Sequence, residues 1–169
     1  MKKTNVQNLC RIALLCALAV SLSALEGIFT PLLPPGAKAG LSNIVVMFAA
    51  ATAGLPATLA VVLFKAVFAL ATRGAVSALL SFTGGLGSAL LLYLLFRFSG
   101  RLGIFGISML GALTHSVLQL FASYFLYGEA IFAYLPILLL LSLPSGLITA
   151  SLLRAASSLL RATPKHERK

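Results

Sequence analysis

The sequence has very few acidic residues. Its 169 residues include no aspartate, and its three glutamates, Glu26, Glu129 and Glu167, are far apart. We therefore do not expect a carboxylate cluster that holds magnesium on a diphosphate, and no group of His, Cys and Glu has the spacing of a zinc or iron site. The GxxxxGK[ST] phosphate-binding loop is also missing. We expect a protein that is not an enzyme by itself and that uses neither metal nor cofactor.

Charged residues of either sign are scarce. The chain is 9% charged and 60% hydrophobic, whereas a soluble domain carries roughly a quarter charged residues. This composition predicts an integral protein of the cell (cytoplasmic) membrane, in contact with the lipid bilayer. The net charge of +10 is explained by basic residues at the membrane edges, so no nucleic acid partner is expected.

Six apolar segments can be recognised, and they predict a single all-α domain, a polytopic membrane bundle of about six transmembrane helices. Residues 41–72 as one helix would span about 48 Å, too long for a hydrocarbon core of about 30 Å. The stretch AGLPA supplies a break, because proline favours a helix start. The predicted spans are roughly 9–29, 41–55, 56–72, 76–98, 104–127 and 131–153, followed by a basic cytoplasmic tail, 154–169.

Basic residues are unequally distributed between the two sides of such a bundle. With both termini in the cytoplasm, ten of the thirteen basic residues lie inside, Lys38 and Arg73 lie outside, and Lys65 lies within the third span. This asymmetry predicts an even number of spans and two cytoplasmic ends. The first segment resembles a cleavable signal peptide, but its removal would leave five spans, so we expect it to be retained.

Several polar residues fall in the middle or outer part of the predicted membrane region. An ionisable group within a span costs about 2.5–3.5 kcal/mol and tends to face the protein interior or a cavity. We therefore predict a polar cavity open to the outside that binds a small anionic or amphipathic molecule. Its candidate residues are Glu26, Lys38, Asn43, Lys65, Arg73, His115 and Gln119.

Each of these residues also has a purely structural interpretation. Lys65 could extend its amine to the membrane surface. His115 and Gln119, four residues apart on one helix face, could form hydrogen bonds between helices. Glu26 could be an interfacial residue or a partner of a lysine, and the PPGAK loop that contains Lys38 could be a rigid connector. A protein with only a structural role would bind no ligand.

Four short motifs carry a resemblance to a known family. They are LEG at 25–27, PGAKAGLSN at 35–43, GALTHSVLQL at 111–120 and YLP at 134–136. In that order they resemble the bacterial Gx transporter family, also labelled heptaprenyl diphosphate synthase component I. The sequence departs from it at Ser116, where asparagine is common, and at Lys65, where arginine is frequent.

The family is similar to the S components of energy-coupling factor (ECF) transporters, small six-helix membrane proteins that capture nutrients. The resemblance implies partners, a transmembrane coupling protein and ATPase subunits, which would dock on a face of small residues formed by Ala13, Ala17 and Ser21. The main hypothesis is therefore a substrate-binding subunit of an importer. The alternative follows from the synthase label: a non-catalytic membrane subunit that assists a catalytic heptaprenyl or polyprenyl diphosphate synthase.

Overall fold

The computed structural model describes residues 3–29, 40–99 and 102–162, and their side chains over 6–28, 40–99 and 102–155. These residues form helices joined by short turns, and no strand occurs among them. The elements in chain order are α1 (Lys3–Phe29), α2 (Leu41–Thr52), α3 (Leu55–Phe98), α4 (Ile104–Tyr127), a 3₁₀ helix (Glu129–Tyr134) and α5 (Leu135–Ala162). The all-α prediction is confirmed.

Four helical stretches are long and apolar enough to cross a membrane: Val6–Ile28, Leu55–Phe98, Ile104–Tyr127 and Glu129–Ala155. Helix α2 is apolar, but its 12 residues extend over only about 18 Å. By length and composition the described residues therefore contain four candidate spans, not the six that the sequence predicts. The difference comes from the short α2 and from residues 56–98, which form part of one 44-residue element.

Two glycines interrupt the helices with a backbone conformation that side chains disfavour. Gly54 has φ +84° between α2 and α3, inside the predicted AGLPA break, and Gly74 has φ +85° and ψ 175° inside α3. Pro56 lies in the first turn of α3, where its missing N–H leaves no helical hydrogen bond unmade. The chain thus turns at both positions.

Helix α3 folds back on itself at Gly74. A Cβ added to Gly85 would lie 3.0 Å from Cγ1 of Val62, although 23 residues of straight helix would separate the two by about 35 Å. Gly74 lies midway between them. Residues 55–73 and 75–98 are therefore two antiparallel arms of a helical hairpin.

Close packing between the second arm and α4 depends on glycines in the TGGLGS stretch. The helix continues without a break through these residues. A Cβ on Gly84 would lie 2.8 Å from the carbonyl oxygen of His115 in α4. Glycine, which has no side chain, therefore admits the neighbouring backbone at this position.

The short helix α2 occupies the centre of the bundle, in contact with α1, α3 and α5. Val45, Val46, Met47 and Ala49 are each at most 2% exposed. The remaining contacts join α1 to α3, α3 to α4, α4 to α5, and the 3₁₀ helix to α4 and α5. These four apolar residues of α2 are therefore covered by protein, so the helix fits a bundle interior despite its length.

The C-terminal part differs from the expected span of 131–153. The chain first forms the 3₁₀ helix, and α5 then extends to Ala162, so the predicted cytoplasmic tail is helical over its first nine residues. The sequence there is rich in alanine and leucine, which favour helix. The described part of the chain ends before Lys165.

Candidate functional site

The first feature of the candidate site is a helix cap supplied from another helix. Gly40 precedes α2 with φ +79° and offers no side chain to its free N–H groups. The Glu26 carboxylate, at the end of α1, takes that role: the Leu41 N–H donates to Oε1 at 2.9 Å, and the Ser42 hydroxyl donates to Oε2 at 2.6 Å. A helix N-terminus favours a negative charge. Glu26, only 4% exposed, is therefore a buried cap and not an interfacial residue.

Lys65 lies inside the bundle, in the middle of the first arm of α3. It is 5% exposed, and its Nζ donates a hydrogen bond to Asn43 Oδ1 at 2.8 Å. Asn43 stands one residue after Ser42, in the first turn of α2. The amine is therefore enclosed by the protein. It is held at the end of α2 that Glu26 caps.

Arg73 approaches the same region from the turn of the α3 hairpin. Its Nη2 donates to Ser23 Oγ at 2.8 Å, one helical turn before Glu26 on α1. Ser23, Glu26, Lys65 and Arg73 together line one small cavity. Two cationic side chains and one carboxylate thus meet where α1 ends, α2 begins and α3 turns.

His115 and Gln119 bring α4 into the cluster. Both are buried, at 6% and 4% exposed, and His115 Nδ1 lies 3.5 Å from Ser88 Oγ in the second arm of α3. The geometry agrees with a hydrogen bond between helices, as the structural interpretation expects. The His115 ring also faces the cavity that holds Lys65 and Arg73.

These side chains line two adjoining cavities that share Gly40, Asn43 and His115. The first, between α2, α4 and α5, has a volume of about 30 Å³. The second, around Lys65 and Arg73, has about 10 Å³. One water molecule needs about 10–15 Å³ on this measure. The described state thus has room for a few waters, and a larger ligand must displace side chains.

We call this group the polar cluster: Glu26, Asn43, Lys65, Arg73, His115 and Gln119. Six of the seven residues predicted from the sequence come together in it, where α1 ends, α2 begins and α3 turns, beside the middle of α4. Lys38 lies outside the described residues. No group of three or more His, Cys, Asp or Glu suited to a metal ion occurs in the described part of the chain.

Sequence reasoning missed the serines that surround the polar cluster. Ser42, Ser81, Ser88, Ser142 and Ser145 are all buried and line its cavities. Serine is common in apolar helices, so a single serine does not indicate a site. On α5 the polar residues recur with helical periodicity, at 142, 145 and 149, which places them on one face. That face borders the polar cluster.

The predicted docking residues lie elsewhere. Ala13, Ala17 and Ser21 are exposed along α1, and the Ser21 hydroxyl donates to the Ala17 carbonyl at 2.9 Å. Glu129, in the 3₁₀ helix, is also exposed. The described residues therefore leave this face of α1 uncovered, and Glu129 is outside the polar cluster.

A scan against family models gives one decisive finding. The model described as heptaprenyl diphosphate synthase component I matches residues 15–156. The chain belongs to this family. The match includes all of the polar cluster and most of the helical bundle. Comparisons with curated proteins and with solved structures gave no significant match.

Membership of the component I family confirms the resemblance drawn from the sequence motifs. The structure shows what two of those motifs build. The LEG motif supplies the Glu26 cap, and the end of PGAKAGLSN supplies Gly40, Ser42 and Asn43 around it. A side chain at Gly40 would also collide with the Ser145 hydroxyl of α5. The two motifs meet in the polar cluster.

Replacing the cap should destabilise this component I protein. Glu26→Ala removes a buried acceptor of two strong hydrogen bonds at a helix N-terminus, a loss of about 2–4 kcal/mol. We expect the apparent melting temperature in detergent, measured by circular dichroism, to fall by roughly 5–10 °C. Glu129→Ala is the matched control, since that glutamate is exposed. Equal effects of the two substitutions would contradict the capping role.

Proposed function

We propose that the chain is a membrane-embedded binding subunit, not catalytic by itself, that holds a small anionic or amphipathic molecule at the polar cluster. The observation that supports this most directly is the buried amine of Lys65. Burying a cation inside an apolar bundle costs about 2.5–3.5 kcal/mol. A leucine would fill the same space without that cost. Lys65 and Arg73 against Glu26 also give the described cluster a net positive charge, which favours an anion.

Binding would exchange internal contacts for contacts with the ligand. Lys65 Nζ donates to Asn43 at 2.8 Å and Arg73 donates to Ser23 at 2.8 Å. An anionic acceptor adds Coulomb attraction to such hydrogen bonds, and arginine can bind a phosphate or carboxylate with two parallel hydrogen bonds. A phosphate or carboxylate could therefore draw both cations away from these partners and open the small cavities.

The topology that fits this role has six crossings and both termini in the cytoplasm. Each arm of the α3 hairpin would cross once, and α2 would cross within the bundle. The polar cluster then lies near the outer surface, since ten of the thirteen basic residues fall on the other side. This arrangement would expose the site to solutes outside the cell.

Labelling of a single cysteine tests this topology. In a chain with Cys10→Ala and Cys16→Ala, Ala75→Cys places a thiol beside the α3 turn, where residue 75 is exposed. We expect an impermeant maleimide to label it on intact cells. Leu102→Cys, near the opposite end of the bundle, should be labelled only after lysis. A thiol at 75 that stays unlabelled in both conditions would place residue 75 within the bilayer and contradict the hairpin crossing.

Two kinds of partner are supported by different observations. The family match supports an accessory role beside a catalytic prenyl diphosphate synthase, because the family is described as a component of heptaprenyl diphosphate synthase. The resemblance to S components supports a coupling protein and ATPases, and an outward polar cluster would favour this importer role. On the present comparisons the accessory role has the more direct support.

Purification from native membranes distinguishes the two roles. Recovery of a soluble, aspartate-rich synthase whose activity rises on mixing with this chain would support the accessory role. Recovery of a membrane coupling protein with ATPases would support import. The synthase supplies the magnesium-binding carboxylates that this chain, with no aspartate, does not contain.

Binding itself can be tested at Lys65 with farnesyl diphosphate as the probe. Removing one charged hydrogen bond costs about 2 kcal/mol, so Lys65→Ala should weaken binding roughly 30-fold by calorimetry in detergent. Lys65→Arg keeps the charge and should retain most of the affinity.

Arg97→Ala serves as the control, since Arg97 is exposed at the other end of the second α3 arm and should leave the affinity unchanged. If Lys65→Ala folds like the wild type and binds the probe equally well, the polar cluster is not the binding site.

A further inference from the structure

An apolar groove adjoins the polar cluster. Its volume is about 380 Å³, within the range of about 300–1,000 Å³ found for small-molecule pockets. It is open to the outside of the bundle and is lined chiefly by Leu80, Leu120, Tyr127, Ala130, Ile131 and Leu138. These residues come from α3, α4, the 3₁₀ helix and α5. The groove is therefore a built feature of the fold and not a gap along one helix.

Two side chains separate the groove from the polar cavity. Gln119 and Leu138 line both spaces, and both are buried, at 4% and 8% exposed. Of the two side chains between these spaces, Gln119 contributes an amide group and Leu138 contributes an apolar group. A change of rotamer in these two residues would join the groove to the cavity between α2, α4 and α5. That cavity adjoins, at Asn43 and His115, the second cavity, which Lys65 and Arg73 line. Such a joined space matches a molecule with one polar end and one apolar end.

We propose that the groove receives the apolar chain of a single-chain phosphate or diphosphate whose anionic head binds at Lys65 and Arg73. This inference rests on the proposed function and specifies its ligand class. From His115 to Tyr127, α4 extends over about 18 Å, so the joined space is long enough for a head and a chain. Gln119 and Leu138 are then the residues that move when the ligand enters.

A bilayer lipid tail is a weaker candidate for the groove. Lipid hydrocarbon already surrounds the bundle, so a tail gains little by moving from the bilayer into an apolar pocket. The groove also has Tyr127 and Tyr134 in its wall, and tyrosine is enriched at the level of the lipid headgroups. A ligand with an anionic head would gain an attraction to Lys65 and Arg73, beyond the adjoining polar cavity, that a neutral lipid tail lacks.

The proposal predicts that affinity depends on chain length. We expect the wild-type protein in detergent to bind farnesyl diphosphate, with fifteen carbons, at least ten times more tightly than isopentenyl diphosphate, with five. Each buried methylene can contribute up to roughly fourfold, and detergent around the free chain reduces this. Dodecyl phosphate distinguishes a branched prenyl chain from a straight one, and tight binding of either chain supports the groove.

A matched pair of substitutions locates the chain. Ala130→Trp fills the groove and should weaken farnesyl diphosphate binding tenfold or more, with isopentenyl diphosphate unaffected. Ala133 is exposed on the same 3₁₀ helix but is not in the groove wall. Ala133→Trp should therefore change neither affinity. Partition of the probe into micelles is the same for all three proteins and cancels in the comparison.

The possible results separate this inference from the proposed function. If both diphosphates bind the wild type equally, the head is held but the chain lies elsewhere, so the groove assignment is overturned and the binding subunit stands. If chain length matters but Ala130→Trp and Ala133→Trp behave alike, the groove assignment is also overturned. If neither compound binds, both proposals are overturned.

Discussion

The fold depends on how an apolar bundle accommodates the free N-terminus of α2. This helix is the centre of the molecule, and its first N–H groups lie inside the bundle, where each needs a hydrogen-bond acceptor. Gly40 has no side chain to help, so the Glu26 carboxylate of α1 accepts from Leu41 and Ser42. One acidic residue in a chain with only three therefore joins α1 to α2.

The cap also explains why the cationic residues are where they are. A buried carboxylate is costly unless charges and hydrogen bonds compensate it, and Lys65 and Arg73 enter the same cavity. The surplus of positive charge that Lys65 and Arg73 give the cluster against Glu26 is the basis of the proposed binding of an anion. The contacts that stabilise the fold here are therefore the same ones that the proposed binding uses, and a ligand would have to replace some of them.

Part of this was accessible from the sequence, and part depended on tertiary contacts. Helix α4 coincides with residues 104–127, a predominantly apolar segment with Gly103 and Gly128 at its two ends. His115 and Gln119 share a face by spacing alone. The cap by Glu26 is different, since it joins residues 15 and 16 positions apart whose meeting depends on how α1 packs. The α3 turn at Gly74 falls between the predicted spans 56–72 and 76–98, whereas the close packing of Gly85 on Val62 depends on how the two arms meet.

The most direct test of the account is an experimental structure of the chain with farnesyl diphosphate bound. The account predicts the diphosphate within hydrogen-bond distance of Lys65 Nζ, the contact of Lys65 with Asn43 broken, and the chain running past Gln119. A diphosphate bound away from the end of α2 that Glu26 caps, with Lys65 still on Asn43, would contradict it.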